Sequence, residues 1–157
     1  MKVKQFNTID ACNIPRPLEL ADPYTGETLL DEEGATLNIM IYGVKSDAAR
    51  NAIKARDRKW GKRADLSDED AQESGAEYLA AITHSVGANI ETDDGPVTNH
   101  DGKIKLYRNE DWIATQVINF SNRLPNYDPK RWGKSERGSG ASAGSTQRQK
   151  GKTVVAE

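Results

Sequence analysis

The side chains that could act as bases or nucleophiles are two histidines and a single cysteine. A histidine that acts as a general base needs a partner within hydrogen-bond reach, and the sequence identifies none for His84 or His100. Cys12 would need a charged or base-assisted setting to react as a thiolate, and we interpret it as a structural thiol. The sequence therefore predicts that the chain is not an enzyme and needs no cofactor.

An acidic loop from Asn89 to Gly95 resembles the beginning of a calcium-binding loop. Two positions do not fit, because Asp94 stands where the loop requires glycine and His100 stands where it requires a bidentate glutamate. The glycine-rich run at 138–144 follows no predicted strand and opens no predicted helix, so it does not read as a phosphate-binding loop. A single cysteine also excludes an internal disulfide and a cysteine-rich zinc site. We expect no metal site.

Charge is distributed in three blocks, although the whole chain carries a net charge of only −2. Residues 45–63 hold eight basic and two acidic residues, and residues 64–95 hold nine acidic residues and no lysine or arginine. Residues 128–157 hold seven basic and three acidic residues. The near-neutral total therefore hides blocks of +6, −9 and +4.

The basic block beside the acidic block has three interpretations. It could bind nucleic acid, with Trp60 stacking on a base, but the acidic neighbour would repel a polyanion. Both blocks could simply be solvated. We favour pairing of the two blocks, within one chain or between chains, because complementary blocks orient partners. The predicted pairing residues are Arg50, Lys54 and Arg58 on the basic side and Asp68, Asp70 and Glu73 on the acidic side.

Composition bounds the class of protein. The chain has 157 residues, of which 28 are Leu, Ile, Val or Phe. It has no run of the roughly 20 apolar residues that a transmembrane helix needs, and its N-terminus lacks the apolar core of a signal peptide. We expect a soluble cytoplasmic protein with one domain at 1–127 and a flexible Gly/Ser-rich basic tail at 128–157. So few core residues indicate a domain that shares its apolar faces with copies of itself or with a partner.

The N-terminal third predicts a small antiparallel sheet of two or three strands within residues 16–43. The segments Asp22–Glu27 and Asp31–Gly34 have the composition of tight turns. Apolar residues alternate with polar ones on either side of these turns, which is typical of half-buried strands. The alternating residues are Leu18, Leu20, Leu37, Ile39 and Ile41.

The segment 46–124 predicts three to four short helices, which makes the fold class α+β. Ser46 can cap a helix that ends near Trp60, and Ser67 can cap a second helix that continues to Val86. A polar loop at 91–101 and a short helical turn at 103–107 follow. Asn109 can cap the last helix, at 110–123, which Pro125 ends because the residue before a proline avoids helical geometry.

The last predicted helix carries the most specific pattern in the chain. Its residues are spaced as Tyr107, Trp112-Ile113, Gln116-Val117 and Phe120, followed by the pair Asn126-Tyr127. This pattern resembles the C-terminal signature of tail assembly chaperones of long-tailed bacteriophages. The Asp22–Glu27 turn between two strands and the Ser46-Asp47 start of a basic helix are similar to the N-terminal part of that family. The resemblance covers residues 16–127, with Pro125 and the tyrosine at 127 as departures from the commoner pattern.

The resemblance implies a role in tail assembly without catalysis. Members of the family coat the tape measure protein before the tail tube assembles around it, and tube subunits then displace them. It implies a homo-oligomer in the host cytoplasm whose partners are the tape measure protein and, transiently, the tail tube protein. The alternative is a structural virion component, such as a minor tail or connector protein, which would be present in purified particles.

A physical mechanism follows from the helical faces. Faces that are only partly buried in the monomer would bind client helices and further copies of the chain in the helix-in-groove mode. The residues predicted for this contact are Tyr78, Leu79, Ile82, Trp112, Ile113, Val117, Phe120 and Tyr127. For Trp112, Val117 and Phe120, packing inside the domain is the favoured interpretation.

Overall fold

The structure is a computed structural model that describes residues 6–61 and 66–132. The chain divides into two units, Met1–Tyr127 and Asp128–Glu157. The elements in chain order are α1 (Thr8–Cys12), β1 (Arg16–Glu19), β2 (Asn38–Ile41), α2 (Asp47–Trp60), α3 (Asp68–Ile82), β3 (Thr83–Val86), β4 (Glu91–Thr92), β5 (Gly95–Pro96), α4 (His100–Asn109), α5 (Asp111–Ser121), a 3-10 helix (Leu124–Tyr127) and α6 (Pro129–Trp132). The predicted α+β class is confirmed.

The main sheet has three antiparallel strands in the order β1-β2-β3. Ile39 of β2 lies opposite Leu18 of β1 and Val86 of β3. Leu18, Ile39 and Ile41 are buried in the core cluster, while Pro17, Asn38 and Met40 alternate with them and keep part of their surface. The predicted period of two is therefore present, with the helices supplying the rest of the core.

The third strand comes from a segment for which the sequence predicts helix. We expected the acidic helix to continue to Val86, and that prediction is wrong, because α3 ends at Ile82. Thr83 has φ −92° and ψ 115°, and the chain continues as β3 along β2. Pairing with a strand more than forty residues earlier in the sequence overrides the local helical spacing, and β-branched Thr83 favours the extended conformation.

The two tight turns between β1 and β2 are confirmed. The Asp22 Oδ1 atom accepts hydrogen bonds from the backbone N–H groups of Tyr24 and Thr25, at 2.7 and 3.2 Å. The Asp31 Oδ1 atom does the same for Glu33 and Ala35, both at 2.9 Å. The side chain of Asn89 donates to Asp31, and this bond is the main cause that holds the pKa of the Asp31 carboxyl below its usual value.

The caps predicted for the two charged helices are confirmed. The Ser46 hydroxyl accepts the N–H of Ala49, and the Ser67 hydroxyl accepts the N–H of Asp70, both at 3.1 Å. Each cap satisfies one of the free donors in the first helical turn. Helix α2 ends at Gly61, which has φ 71° and takes a conformation that costs other residues energy.

Several local predictions after α3 are wrong. The polar loop predicted at 91–101 contains the β4–β5 hairpin, and the short turn predicted at 103–107 is the ten-residue helix α4, capped by Asn99. Asn109 is the last residue of α4 rather than a cap, and the N-cap residue of α5 is Glu110, whose side chain makes no capping hydrogen bond. The short helix α1, capped by Asn7, was not predicted.

The second unit contains one described element. Residues Pro129–Trp132 form a single helical turn, and the Asp128 carboxylate accepts the backbone N–H of Lys130 at 2.9 Å. The flexible tail predicted at 128–157 therefore begins with an ordered turn. The rest of that prediction, from residue 133 onward, lies outside the described residues. No helix in the described ranges is long and apolar enough to cross a membrane.

One glutamine joins helix α5 to the chain that leaves β1. The Gln116 side chain accepts the N–H of Ala21 at 3.0 Å and donates to the carbonyl of Ala21 at 2.8 Å. It therefore satisfies both backbone groups of one residue, as a neighbouring strand would.

Replacing Gln116 with alanine is expected to lower the free energy of unfolding by about 1–3 kcal/mol, because Ala21 would lose both partners in a partly buried site. Urea titration followed by circular dichroism measures this change. Asn119→Ala, at an exposed position of the same helix, is the control and should stay within about 0.5 kcal/mol. An equal loss in the two variants would contradict the role of Gln116.

Candidate protein-binding surface

Helices α2 and α3 pack against each other through a small set of polar and aromatic contacts. Lys59 forms an ion pair with Glu77, and the indole N–H of Trp60 donates to the other oxygen of the same carboxylate at 3.2 Å. The Arg56 guanidinium lies 6.0 Å from the centroid of the Tyr78 ring. These contacts join the C-terminal part of the basic helix to the middle of the acidic helix.

An open groove lies beside this contact, and we call it the α2–α3 groove. Its volume is about 510 Å³. Its lining is part apolar and part polar, with small residues on the α3 side. The lining residues are Ile53, Arg56, Asp57, Trp60, Gly61, Leu66, Ala71, Ser74 and Gly75. A groove between two helices that offers both apolar and charged side chains can receive a helix of another protein.

The groove lies where the apolar residues along one face of α2 and of α3 are no longer buried by the rest of the described chain. On α2, Ala49 is fully buried, but Ile53, one turn later, is 36% exposed. On α3, Ile82 is fully buried, Tyr78 is half-buried, and Gly75 and Ala71 are exposed. A stripe at helical spacing indicates a face that packs against something. In the described chain, part of each stripe has no such cover.

Two titratable groups at the helix contact have shifted pKa values. Burial raises the pKa of the Tyr78 phenol, and the positive charge of Arg56 partly opposes this. The hydrogen bond from Lys59 to the Glu77 carboxylate raises the pKa of the Lys59 ammonium. Both groups therefore keep their ordinary charge states at neutral pH, with Tyr78 neutral and Lys59 positive.

The predicted pairing of the basic and acidic blocks is realised by different residues. The cross-helix ion pair joins Lys59 to Glu77, neither of which was predicted for it. Arg50 pairs with Asp47 on its own helix, and Glu73 pairs with Arg108 of α4 at 2.8 Å. Within residues 6–61 and 66–132, no ion pair joins the other predicted residues to a partner; these are Lys54, Arg58, Asp68 and Asp70.

Five of the eight residues predicted for client binding and self-association lie in the interior. We expected their helical faces to be only partly buried, and that expectation is wrong for Leu79, Ile82, Ile113, Val117 and Tyr127, each with an exposed fraction of 4% or less. The chain buries them itself, because the sheet and the α3, α4 and α5 helices close around them. Tyr78, Trp112 and Phe120 remain half-buried.

The residues of the C-terminal signature hold the fold together. The Tyr127 hydroxyl donates to the carbonyl of Ile41 in β2 at 3.1 Å, and the Tyr127 ring meets Phe120 edge to face at 5.8 Å. The Asn126 side chain donates to the carbonyl of Phe120 at 2.9 Å and so satisfies the end of α5. The Asn-Tyr pair therefore attaches the end of α5 to the middle of the sheet.

A second tyrosine of the signature is bonded inside the core. The Thr83 hydroxyl donates to the carbonyl of Leu79 at 2.7 Å, so the Tyr107 hydroxyl donates to Thr83 over their 2.5 Å contact. Burial raises the pKa of the Tyr107 phenol to about 12. The sequence pattern identified Tyr107, but its partner could not be found from spacing.

His84, His100 and Cys12, the residues considered as bases or nucleophiles, lie in three different parts of the fold. His84 is exposed on β3, where its ring meets Tyr42 edge to face at 5.9 Å, and His100 is exposed at the start of α4. Cys12 is fully buried. Among the described residues, no group of histidine, cysteine, aspartate and glutamate could hold a metal ion. In the calcium-like loop, Asp94 pairs with Lys105 of α4.

The chain was compared with protein families, with curated proteins and with solved structures. None of the three comparisons found a match.

Proposed function

We propose that this chain is a tail assembly chaperone that binds the tape measure protein of a long-tailed phage in the host cytoplasm. The observation that carries the proposal is the α2–α3 groove, which offers a few apolar side chains beside charges of both signs. The order of motifs along residues 16–127 supports the same role. The tape measure protein is expected to present long amphipathic helices, and one such helix would complete the uncovered stripes around Ile53 and Gly75.

The chemistry of the groove suits a client that is held reversibly. Its apolar contribution is limited to a few side chains, such as Ile53, Trp60 and Leu66, so each contact is weak. Many weak contacts along a repetitive client give a high total affinity and still allow tube subunits to displace the chaperone one copy at a time.

Co-expression with the tape measure protein tests the function. We expect the soluble fraction of the client to rise several-fold when this chain is present, and to fall back when Gly75→Leu fills the groove. Gly75 has open space where a side chain would begin, so this variant should fold. Ala55→Leu, at an exposed position on α2, is the matched control. A client that is equally soluble without the chain would refute the proposal.

Mass spectrometry of purified particles separates this function from a structural virion role. A chaperone is expected to be absent from finished particles, whereas a minor tail or connector protein would be present in a fixed number of copies. Detection at a constant ratio to the tube protein would favour the virion role.

A further inference from the structure

Three basic side chains form a row along the face of α2 that points away from the rest of the domain. They are Arg50, Lys54 and Arg58, which are exposed and lie four residues apart, and we call them the α2 basic row. Residues at this spacing are neighbours on one face of a helix. We propose that the α2 basic row binds the phosphate backbone of a nucleic acid. This proposal does not rest on the proposed function, because it uses a different face of α2 from the groove.

The opposite face of α2 makes the contacts within the domain. Ala49 and Ala52 are buried and lie on the other side of the helix from the row. The remaining basic residues of this helix, Arg56 and Lys59, contact side chains of α3. The structure therefore divides the basic helix into a side that packs against the domain and a side that presents positive charge to solvent.

The charge of the row is only partly neutralised. Arg50 pairs with Asp47 one turn earlier, whereas in the described ranges no ion pair reaches Lys54 or Arg58. Like charges four residues apart on a helix repel each other and destabilise it. A polyanion would remove this repulsion, so charge complementarity identifies the class of partner.

The neighbours of the row favour phosphates over an acidic protein. Asn51 and Ala55 lie beside it, and the exposed large apolar residue of α2, Ile53, lines the groove instead. Protein interfaces are usually centred on buried aromatic or apolar anchors. Contacts to phosphates need only positive or hydrogen-bonding groups, and the row supplies these.

The length of the row fits several phosphates of one strand. Arg50 and Arg58 are separated by about 12 Å along the helix axis, at 1.5 Å per residue. This distance covers about three to four phosphates of a B-DNA strand, which follow one another every 3.4 Å. Trp60, considered from the sequence for stacking on a base, donates its indole N–H to Glu77 and lies at the groove. The expected contact is therefore with the backbone and independent of base sequence.

The acidic helix opposes this binding less than its sequence suggests. Its carboxylates at Glu73 and Glu77 form ion pairs with basic residues of α4 and α2. Asp68 and Glu69 in its first turn remain exposed. Their repulsion should place the affinity at the weak end of non-specific binding, with a dissociation constant of about 10⁻⁴ M at physiological salt.

Neutralising two residues of the row tests the proposal in the full chain. Fluorescence anisotropy with a labelled DNA duplex of about 20 base pairs measures binding between about 50 and 200 mM salt. Lys54→Gln combined with Arg58→Gln should weaken binding at the lower salt by at least about tenfold. The slope of log K against log salt should become shallower by about 1.8, since each phosphate contact contributes about 0.9.

The matched control removes the same charge elsewhere. Arg123→Gln combined with Lys130→Gln changes two exposed residues outside α2 and should alter the affinity by less than about threefold. Circular dichroism checks that both double variants fold. An equal loss of affinity in the two would overturn the proposal, because net charge rather than the row would then determine binding.

A second variant should strengthen binding. Asp47→Asn frees the Arg50 guanidinium from its ion pair, so the affinity for the duplex should rise several-fold and the salt dependence should become steeper. Asp111→Asn, in the first turn of α5, changes the net charge equally and should have an effect of no more than about twofold. Equal effects of the two substitutions would contradict a role for Arg50.

Two further ligands identify the chemistry that the row recognises. Single-stranded RNA should compete with the duplex, with a shallower salt slope of about 0.7 per contact, because both ligands offer phosphates. Poly-L-glutamate with the same number of charges should compete less well than either nucleic acid. Stronger competition by poly-L-glutamate would indicate an acidic protein partner and overturn the proposal. Binding to the duplex that does not change with salt, or no binding at low salt, would overturn it as well.

Discussion

Tyr127→Ala is expected to lower the free energy of unfolding by about 3–5 kcal/mol, plus the cost of an unsatisfied backbone group. Tyr127 is 0% exposed, and its hydroxyl is hydrogen-bonded to the carbonyl of Ile41. Truncation leaves a cavity between α5 and the sheet and removes the link between them. Since a domain of this size is stable by about 5–15 kcal/mol, the substitution removes a large part of that stability, and the urea midpoint of the variant should fall accordingly.

Two further variants separate the contributions at Tyr127. Tyr127→Phe retains the ring and loses only the hydrogen bond, so it should cost about 1–3 kcal/mol. Tyr24→Ala removes a ring that is 95% exposed and should change stability by no more than about 0.5 kcal/mol. Urea titrations give all three values. If Tyr127→Ala lowered the free energy of unfolding as little as Tyr24→Ala does, Tyr127 would not be the residue that anchors the end of the fold.

Stability is expected to fall above pH 10, because buried tyrosines must stay neutral in the folded chain. Burial raises the pKa of Tyr107 from 10.0 to about 12, and it raises the pKa of Tyr127 as well. A raised folded-state pKa gives stability that is complete below the unfolded pKa and is lost as the pH passes through the folded pKa. Tyr107 alone accounts for about 3 kcal/mol between pH 10 and 12, at 1.36 kcal/mol per unit.

The urea midpoint measured from pH 8 upward tests this expectation. Tyr107→Phe should lose some stability at neutral pH, because Thr83 loses a partner, but its midpoint should fall less steeply above pH 10. Deprotonation of lysines affects both proteins alike, so the difference between their slopes isolates Tyr107. Parallel slopes would contradict the assignment.

Local signals in the sequence were sufficient to predict where some helices and turns begin. Ser46 and Ser67 each stand before a stretch with helical spacing, and the Asp22 turn contains Pro and Gly at turn positions. Each of these signals acts within a few residues, so no distant partner is needed to make it effective. These predictions agree with the structure in type and closely in position.

Elements that depend on distant partners could not be predicted. The segment Thr83–Val86 has helical spacing with α3, and only its pairing with β2 makes it a strand. The side chain of Gln116 was visible in the pattern, but its role requires Ala21, which is 95 residues away. A single sequence carries no information on such pairs, because any of many polar backbone groups could have been the partner.

The candidate site was predicted only in part. The basic and acidic helices were predicted to pair within one chain or between chains, and the ion pair that joins them in the structure uses Lys59 and Glu77, which were not among the predicted residues. Residues of α5 were considered both for packing and for a client surface, and the structure buries Ile113 and Val117 in the core while Trp112 and Phe120 stay half-buried. Burial depends on how helices are arranged around the sheet, and helical spacing alone does not specify that arrangement. The α2–α3 groove therefore emerged only from the structure.

The bond between Tyr127 and Ile41 also sets an order of events during synthesis. The two residues are 86 positions apart, and ribosomes add about 5–20 residues per second, so β2 is made about 4–17 s before its anchor exists. Helices α2, α3, α4 and α5 are all made within this interval, while the sheet still lacks its contact with Tyr127. A nascent chain would thus expose the inner faces of β2 and α3 for several seconds. The domain can therefore close only after the residues around position 127 have been made, and not when the early elements are translated.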